Sequence, residues 1–515
     1  MKTKRTLIFL LLALVTAGNF VNAQAALFKD VETGSVSSTP EQFTVVNGTM
    51  YFVTLPTYKH ALWKTDGTVA NTVVVKDSII TTSVGDRFMI RGHIGDTLYY
   101  TVNQNVQLDT TTELWMTTGG TPVLMATLTS RMLAGISNGE PRRFAVAGGK
   151  LYFQMYTDHG YELWVCDGTT AGTHEVIDLC PGTTSGIFAE GAQDEPMVEY
   201  KGKIYFRGNT TPGGSELFYS DGTSGGTASV KPGTIGYEPQ SLFAYKNDLY
   251  FYSNAGANQG LWKTDGTANG TVFITAAGFN STVKIFQDNM YFSVAGSLWK
   301  SDGTAGGTVL VKDTVGTIDG MLGNAFFTSY MKSLPTPPYY EIHYWKSDGT
   351  AGGTVRVSDS LGKAASFTVL NNKMYSASQG TALWESDGTE AGTKNLITGI
   401  ISYPTVFNNT IFFSNWGTGT GYEVWSVTPT ATGIMETHNQ QAQVLVYPNP
   451  STGMFNVNLQ GNEPATIKVF DLQGREILQQ VNSTVVDLSG HPQGVYFMQI
   501  STASGTRCQK ILLAH

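Results

Sequence analysis

A motif of the form Leu-Trp-x-Ser/Thr-Asp-Gly-Thr recurs through most of this chain. It reads Ala61-Leu62-Trp63-Lys64-Thr65-Asp66-Gly67-Thr68 and returns around Trp164, Trp262, Trp299, Trp345 and Trp384. One copy carries phenylalanine, Glu216-Leu217-Phe218-Tyr219-Ser220-Asp221-Gly222-Thr223. Two more, Glu113-Leu114-Trp115 and Glu423-Val424-Trp425, keep the head and lose Asp-Gly-Thr. Eight of the nine tryptophans fall in the motif, so tryptophan marks a unit here and not a site. Upstream of each copy lies a polar turn leading to an aromatic pair, as in Asn47-Gly48-Thr49-Met50-Tyr51-Phe52 and Gly202-Lys203-Ile204-Tyr205-Phe206. Nine such markers accompany nine motif copies, at a mean spacing of about 45 residues, the period of four-stranded propeller blades.

Each unit supplies four strand candidates. In the fourth they are Met197–Tyr200, Lys203–Arg207, Glu216–Ser220 and Thr227–Lys231. A glycine turn joins the first two, and the Asp221 to Gly226 loop joins the last two, both hairpin signals. Neighbouring bulky residues (Tyr-Phe, Leu-Trp) point to opposite faces of a strand, so both faces of each sheet must be buried. Sheets stacked around a ring bury both faces, whereas a sandwich with one wet face would alternate apolar and polar residues. The pattern predicts an all-β fold, a β-propeller of about eight or nine four-stranded blades. A pair of smaller rings and a β-solenoid are the alternatives. Ala26 to Val31 resembles the fourth strand of other units, and we expect it to complete the last blade beside Trp425.

The chain opens Met-Lys-Thr-Lys-Arg, followed by the apolar run Leu7 to Ala17 and then Val21-Asn22-Ala23. This is the pattern of a secretory signal peptide over residues 1–23, with cleavage expected between Ala23 and Gln24. The run is too short for a spanning helix, which needs about 20 residues. Loss of Lys2, Lys4 and Arg5 takes the formal charge from −8 to −11, which disfavours nucleic acid as a partner. Charged residues make up 14% of the chain and glycine contributes 58 residues, a composition of short strands and tight turns. Cys166, Cys180 and Cys508 are too few for a disulfide scaffold. We read the first two as buried thiols, with a Cys166–Cys180 bridge as the alternative.

At the Asp-Gly-Thr turn the motif resembles the ELWxxDGT repeat family of bacterial surface and secreted proteins, over about residues 45 to 428. The resemblance implies an exported repeat protein and no particular reaction. Residues 24–428 are thus expected to form the repeat domain and 429–443 a linker. Residues 444–515 are expected to form a small module of short strands, an immunoglobulin-like β-sandwich. That module carries Tyr447-Pro448-Asn449-Pro450, Gly453, Asp471, Gly474-Arg475, Gly494 and Tyr496. In these residues it resembles the type A C-terminal sorting domain of the type IX secretion system. The family usually ends in a basic residue; here the end is Leu513-Ala514-His515, with Lys510 placed ahead of the last strand. The resemblance implies the type IX machinery as partner, passage across the outer membrane, and a secreted or cell-surface destination.

The motif aspartates Asp66, Asp167, Asp221, Asp265, Asp302, Asp348 and Asp387 invite a calcium reading, since calcium takes about six to eight oxygens. Most of these loops offer one carboxylate, and stacked sheets stand about 10 Å apart. We therefore read the aspartates as turn residues: Asp accepts local N–H bonds, Gly takes positive φ and Thr adds a hydroxyl bond. The eight histidines form no His-x-x-x-His pair, so zinc is unsupported. Asp158-His159 beside Glu162 is the most polar trio and reads as a surface loop. No catalytic residue, cofactor or metal is assigned. The irregular loop Ser333 to Tyr340, with Pro337, Pro338, Tyr339 and Tyr340, is a candidate ligand loop, because rigid tyrosines stack on sugars and peptides. Asp194-Glu195-Pro196 is a second such stretch. Three functions remain open at this level. They are a non-enzymatic surface protein binding glycan or protein through loops, a carbohydrate-active hydrolase or lyase with a site at the ring centre, and an adhesin or scaffold module.

Overall fold

The computed structural model describes residues 25–429 and 444–513. Excepted are 33, 57–58, 80–86, 107–108, 132–140, 188–196, 212–213, 233–237, 255–258, 277–282, 334–339, 359–363, 379–381, 448, 450, 460–464, 472–474 and 503–504. The chain divides into two compact units, Met1–Pro429 and Thr430–His515. Among the described residues every regular element is a strand and there is no helix. The signal-peptide residues, Ala23 and Gln24 among them, lie outside the described residues.

The first unit holds nine four-stranded antiparallel sheets, none closed on itself. Eight are meanders of consecutive strands; the first runs Glu41–Val46, Thr49–Thr54, Lys59–Thr65 and Val73–Ile79. The ninth is composite. Ile401–Phe407, Thr410–Gly417 and Gly421–Val427 supply three strands, and Ala26–Lys29, from the far end of the sequence, supplies the fourth. Its register is Ala26↔Ser426, Leu27↔Trp425 and Lys29↔Val424. In the fourth sheet the outer strand is only Ala228–Ser229, shorter than the predicted Thr227–Lys231. Val230 N–H still donates across to the Leu217 carbonyl of the neighbouring strand, but the regular ladder ends at Ser229, and Pro232, which lacks an N–H, follows closely.

Both faces of the sheets are buried. Met50, Tyr51, Phe52 and Val53 are consecutive and all inaccessible. On one face the motif tryptophan stacks on the phenylalanine of the adjacent strand: Phe52–Trp63 at 6.1 Å, Phe153–Trp164 at 6.1 Å and Phe251–Trp262 at 6.2 Å between centroids. On the other face the tyrosine of the aromatic pair reaches the next sheet in sequence. Its hydroxyl occupies the space that a side chain on the glycine of the third-to-fourth strand turn would need. A Cβ on Gly119 would stand 3.0 Å from the Tyr51 hydroxyl, one on Gly222 2.9 Å from that of Tyr152, and one on Gly266 2.7 Å from that of Tyr205. Gly303 and Gly349 meet Tyr250 and Tyr291 in the same way, and Gly388 meets the Phe327 ring. From the first sheet to the eighth, an aromatic side chain thus packs against the turn glycine of the next sheet, closely in every link but that from Tyr99 to Gly168, where the distance is 3.5 Å. Burial pushes the phenols of Tyr152, Tyr205 and Tyr250 up to about 12. A different contact joins the ninth sheet to the first. A Cβ on Gly67 would lie 3.5 Å from the Phe407 ring, and Asn408 Nδ2 donates to the Asp66 carbonyl at 2.8 Å. Phe43, Met50 and Phe52 share one apolar cluster with Phe407, Phe412 and Val424.

The second unit has a three-stranded sheet (Val444–Tyr447, Met454–Leu459, Val485–Asp487) and a four-stranded one. The latter is ordered Glu476–Val481, Thr466–Phe470, Gly494–Thr502, Gly505–Leu513. One core, with Phe455, Ile467, Val486, Met498 and Ile511 fully inaccessible, is drawn from both.

Candidate functional site

The seven Asp-Gly-Thr turns share one internal geometry. In the fourth sheet Asp221 Oδ1 accepts the Thr223 N–H at 2.9 Å and its hydroxyl at 2.7 Å. Thr223 Oγ1 then accepts the Gly226 N–H at 3.0 Å, while Ser220 Oγ accepts that of Gly222 at 3.0 Å. Gly222 sits at φ +90°, where a glycine costs least. The bonds to the aspartate and threonine oxygens recur at Asp167, Asp265, Asp302, Asp348 and Asp387, and the bond from the turn glycine N–H to the hydroxyl just before the aspartate at all of these but Asp167, which follows Cys166. In six turns the carboxylate also leans over the glycine five residues on, where a Cβ would stand 1.9 Å from Asp167 Oδ1 at Gly172 and 2.1 Å from Asp221 Oδ1 at Gly226. In the first turn that position is Asn71, whose Nδ2 donates to Asp66 Oδ2 at 2.6 Å. These donors hold the carboxyls below the usual range, the Thr223 hydroxyl being the largest cause at Asp221 and Asn71 at Asp66. Repeat two, which lacks the aspartate, keeps Gly119 at φ +94° and the Gly119 N–H on Thr117 Oγ1 at 3.0 Å. Among the described residues no three His, Cys, Asp or Glu side chains converge.

A second device was not anticipated from the sequence. Glu162, at the head of the third motif copy, is wholly inaccessible, and its carboxylate accepts the N–H of Leu179 at 3.1 Å and of Gly186 at 2.6 Å. Burial raises this carboxyl to about 8, against the pull of the two amide donors. Glu423 in the ninth sheet does the same for the N-terminal segment, accepting Val31 N–H at 2.8 Å, Ser38 N–H at 2.9 Å and Ser38 Oγ at 2.7 Å. Its carboxyl is also raised, first by burial. The match extends outward. Ser185 Oγ accepts Tyr161 N–H as Ser37 Oγ accepts Tyr422 N–H, both at 3.0 Å. Asn209 N–H meets Gly186 O as Leu55 N–H meets Ser38 O, each in the following sheet. The sequence does carry the signal: Asp178-Leu179, Gly182 and Ser185-Gly186 echo Asp30-Val31, Gly34 and Ser37-Ser38 at equal spacing.

The polar trio is not assembled. His159 Nδ1 pairs with Glu175 at 3.0 Å on the surface, and Glu162 is buried in its clasp. Cys166 and Cys180 are free, buried thiols. Pro337, Pro338 and Tyr339 lie outside the described residues, as do Asp194, Glu195 and Pro196. Tyr340 opens the strand Tyr340–Ser347, paired with Ser333.

In the second unit Asn449 joins the start of the module to its last strand, its Nδ2 donating to Lys510 O at 2.9 Å and its Oδ1 accepting Leu512 N–H at 2.8 Å. Lys510 stands inside the last strand, Gly505–Leu513, opposite Phe497, and not ahead of it as the sequence suggested. Tyr496 is buried, and its hydroxyl donates to Pro492 O at 2.6 Å. A Cβ on Gly453 would meet Ser489 at 2.8 Å, and Gly494 takes φ +154°. Tyr447 ends the strand Val444–Tyr447; Pro448, Pro450 and Gly474 lie outside the described residues. The module matches a known family. Residues 445–514 are a secretion system C-terminal sorting domain, the export tail of type IX secretion. The tail directs the chain to secretion or the cell surface. No curated protein matches the chain. Among solved structures, the computationally designed Ika8 protein is 10% identical with a TM-score of 0.34, covering 73% of this chain and 98% of its own. Sqt1 of Saccharomyces cerevisiae is 8% identical with a TM-score of 0.35, covering 79% and 98%. A prolyl endopeptidase structure is 11% identical with a TM-score of 0.35, covering 84% and 55%. No helix of the described residues is long and apolar enough to cross a membrane.

Proposed function

We propose that this protein is an exported, non-enzymatic repeat protein, displayed on the cell surface or released, that binds glycan or protein through the loops of a nine-bladed β-propeller. The sorting tail at 445–514 carries the export half of this reading. In it, residues 1–23 are a leader cleaved before Gln24, 24–428 the propeller, 429–443 a linker and 444–515 a sandwich removed or anchored after passage. The ring is supported by the aromatic-to-glycine contacts that link the first eight sheets in order, and by the first and ninth sheets sharing a core. The motif aspartates serve as turn locks in this reading, since their oxygens accept bonds within their own loops. Binding is assigned to the end of the sheets opposite these turns. Strands alternate in direction, so the second-to-third connections and the links between successive sheets all lie at that end, and neither kind carries the shared Asp-Gly-Thr motif.

Deleting Val444–His515 tests the export half: the truncated protein is expected in the periplasm, and unchanged surface or medium fractions would overturn it. Incubating the full mature protein with a glycan array and analysing the products tests the rest. Retention without turnover is expected, and released sugars or unsaturated ends would instead make it a hydrolase or lyase.

A further inference from the structure

The fourth unit departs from its neighbours at three touching positions, and all three changes remove volume. Phe218 replaces the tryptophan, stacking on Phe206 at 6.0 Å where the larger indole stacks elsewhere. Opposite it on the outer strand is Ser229, where other sheets place Phe273, Leu310 or Val74. On the inner side Gly208 stands where the first sheet has Thr54, and the Phe218 ring has moved close enough that a Cβ there would lie at 2.7 Å. The outer strand is also cut to two residues. The result is a cavity of about 440 Å³ between the edge of the third sheet and that of the fourth. That is within the roughly 300–1,000 Å³ of small-molecule sites.

Its walls are of two kinds. Ile177, Leu179 and Phe218 are apolar; Glu216, Ser229 and Thr211 are polar. Glu216 is nine-tenths buried, and its Oε2 accepts the Ser229 hydroxyl at 2.5 Å. The carboxylate is thus already placed as an acceptor for an aliphatic hydroxyl, beside an aromatic ring and further hydroxyls. A ligand with hydroxyls on its rim and C–H groups on its face satisfies both walls, because carboxylates accept O–H bonds strongly and apolar faces pack on aromatic rings.

We propose that this cavity is a binding site for a neutral sugar ring, such as the terminal residue of a glycan chain. The site rests on the glycan-binding reading above and locates it. Glu216 and the hydroxyls read the sugar's O–H groups, and Phe218, smaller than the tryptophan of its sister units, makes the room. Thr211 belongs to the second-to-third strand connection, so the cavity borders the end assigned to binding.

The test uses the full mature protein and isothermal titration with glucose, galactose, mannose and N-acetylglucosamine, each alone, with a simple alkylamine as the cationic comparison. Phe218→Trp restores the residue the repeat ordinarily carries and fills the cavity without opposing the fold. Glu216→Gln keeps the shape and weakens the acceptor. At least one sugar is expected to bind, with affinity falling tenfold or more in F218W and several-fold in E216Q, while Trp262→Phe in the fifth sheet leaves it unchanged. Circular dichroism confirms that each variant is folded. Equal sugar binding by the wild type and folded F218W would overturn the site, as would binding of the amine in place of any sugar. Array glycans held equally by wild type and F218W would remove this site and leave the proposed function standing. No sugar bound and no glycan held would remove this site and the glycan arm together.

Discussion

At Gly226 the missing side chain is what lets the Asp221 carboxylate fold back over its own turn. An alanine there would place a methyl about 2 Å from the carboxylate oxygens, inside any contact distance. Gly226→Ala is expected to cost about 1–3 kcal/mol, the range of overpacking. The same change in an Asp221→Ala background should cost distinctly less, because the colliding group is gone. Urea midpoints of the four proteins give the coupling, and additive losses would show that the carboxylate does not lean over the glycine. Glu162 sets a different dependence. Its carboxyl is near 8 when folded and near the ordinary value of about 4.3 when unfolded, so the folded state binds the proton more tightly. Stability from this group is full below the unfolded value and is lost as pH rises through the folded one. Denaturation midpoints should therefore fall between about pH 4.5 and 8, and Glu162→Gln should flatten that slope. A midpoint that climbs across the window in wild type relative to the variant would contradict the assignment. The turn aspartates have lowered values and lose their contribution only as pH falls below the ordinary carboxylate range, so the two effects do not overlap.

The sheet is the scale at which sequence was most informative. Aromatic pairs and Leu-Trp pairs on adjacent positions forced two buried faces, and Met50 to Val53 are buried without a break. The likeness of Ala26 to Val31 to a fourth strand pointed to Trp425, and Leu27 pairs with Trp425. The glutamate clasps escaped notice because a motif head says nothing about its partners. Those of Glu162 lie 17 and 24 residues away, and one partner of Glu423 lies 392 away. The truncated outer strand of the fourth sheet escaped for a local reason: Val230 favours a strand and still bonds across to Leu217, but Pro232, two residues on, cannot extend the ladder. The cavity depends on that truncation together with Phe218, and no single position announces it. One outcome belongs to this scale. A mature chain lacking residues 25–39 loses the fourth strand of the ninth sheet and every donor to Glu423 named above. Amide exchange at Gly421–Val427 should rise by orders of magnitude while the fifth sheet, around Trp262, stays protected. Unchanged protection at Gly421–Val427 would show that the segment is dispensable.

At the scale of the whole molecule, the chain joins a unit of repeated sheets to an export tail. Asn449 ties the tail's opening residues to its final strand through two hydrogen bonds, worth about 1–3 kcal/mol together. Asn449→Ala should lower the share of protein reaching the surface or medium several-fold with synthesis unchanged, as read by fractionation. Export at the wild-type level would show that the clasp is not part of what the machinery reads. The repeats themselves were recognisable as a scaffold from sequence, but the ligand was not. Identical markers fix the common frame, whereas a ligand is chosen by the few places where one unit differs from the rest.

The composite ninth sheet also imposes a timetable. Its outer strand, Ala26–Lys29, precedes its other three strands in the chain by about 400 residues. Until Val427 has passed, Ala26–Lys29 has no neighbour and the first sheet lacks half of the core it shares with the ninth. Contacts this distant in sequence form slowly, because the loop between them must be ordered first. A chain threaded end-first through a membrane would therefore stay unfinished for the whole of its transit. It would complete itself only when its last sheet, with the tail close behind, had arrived on the same side as its first strand.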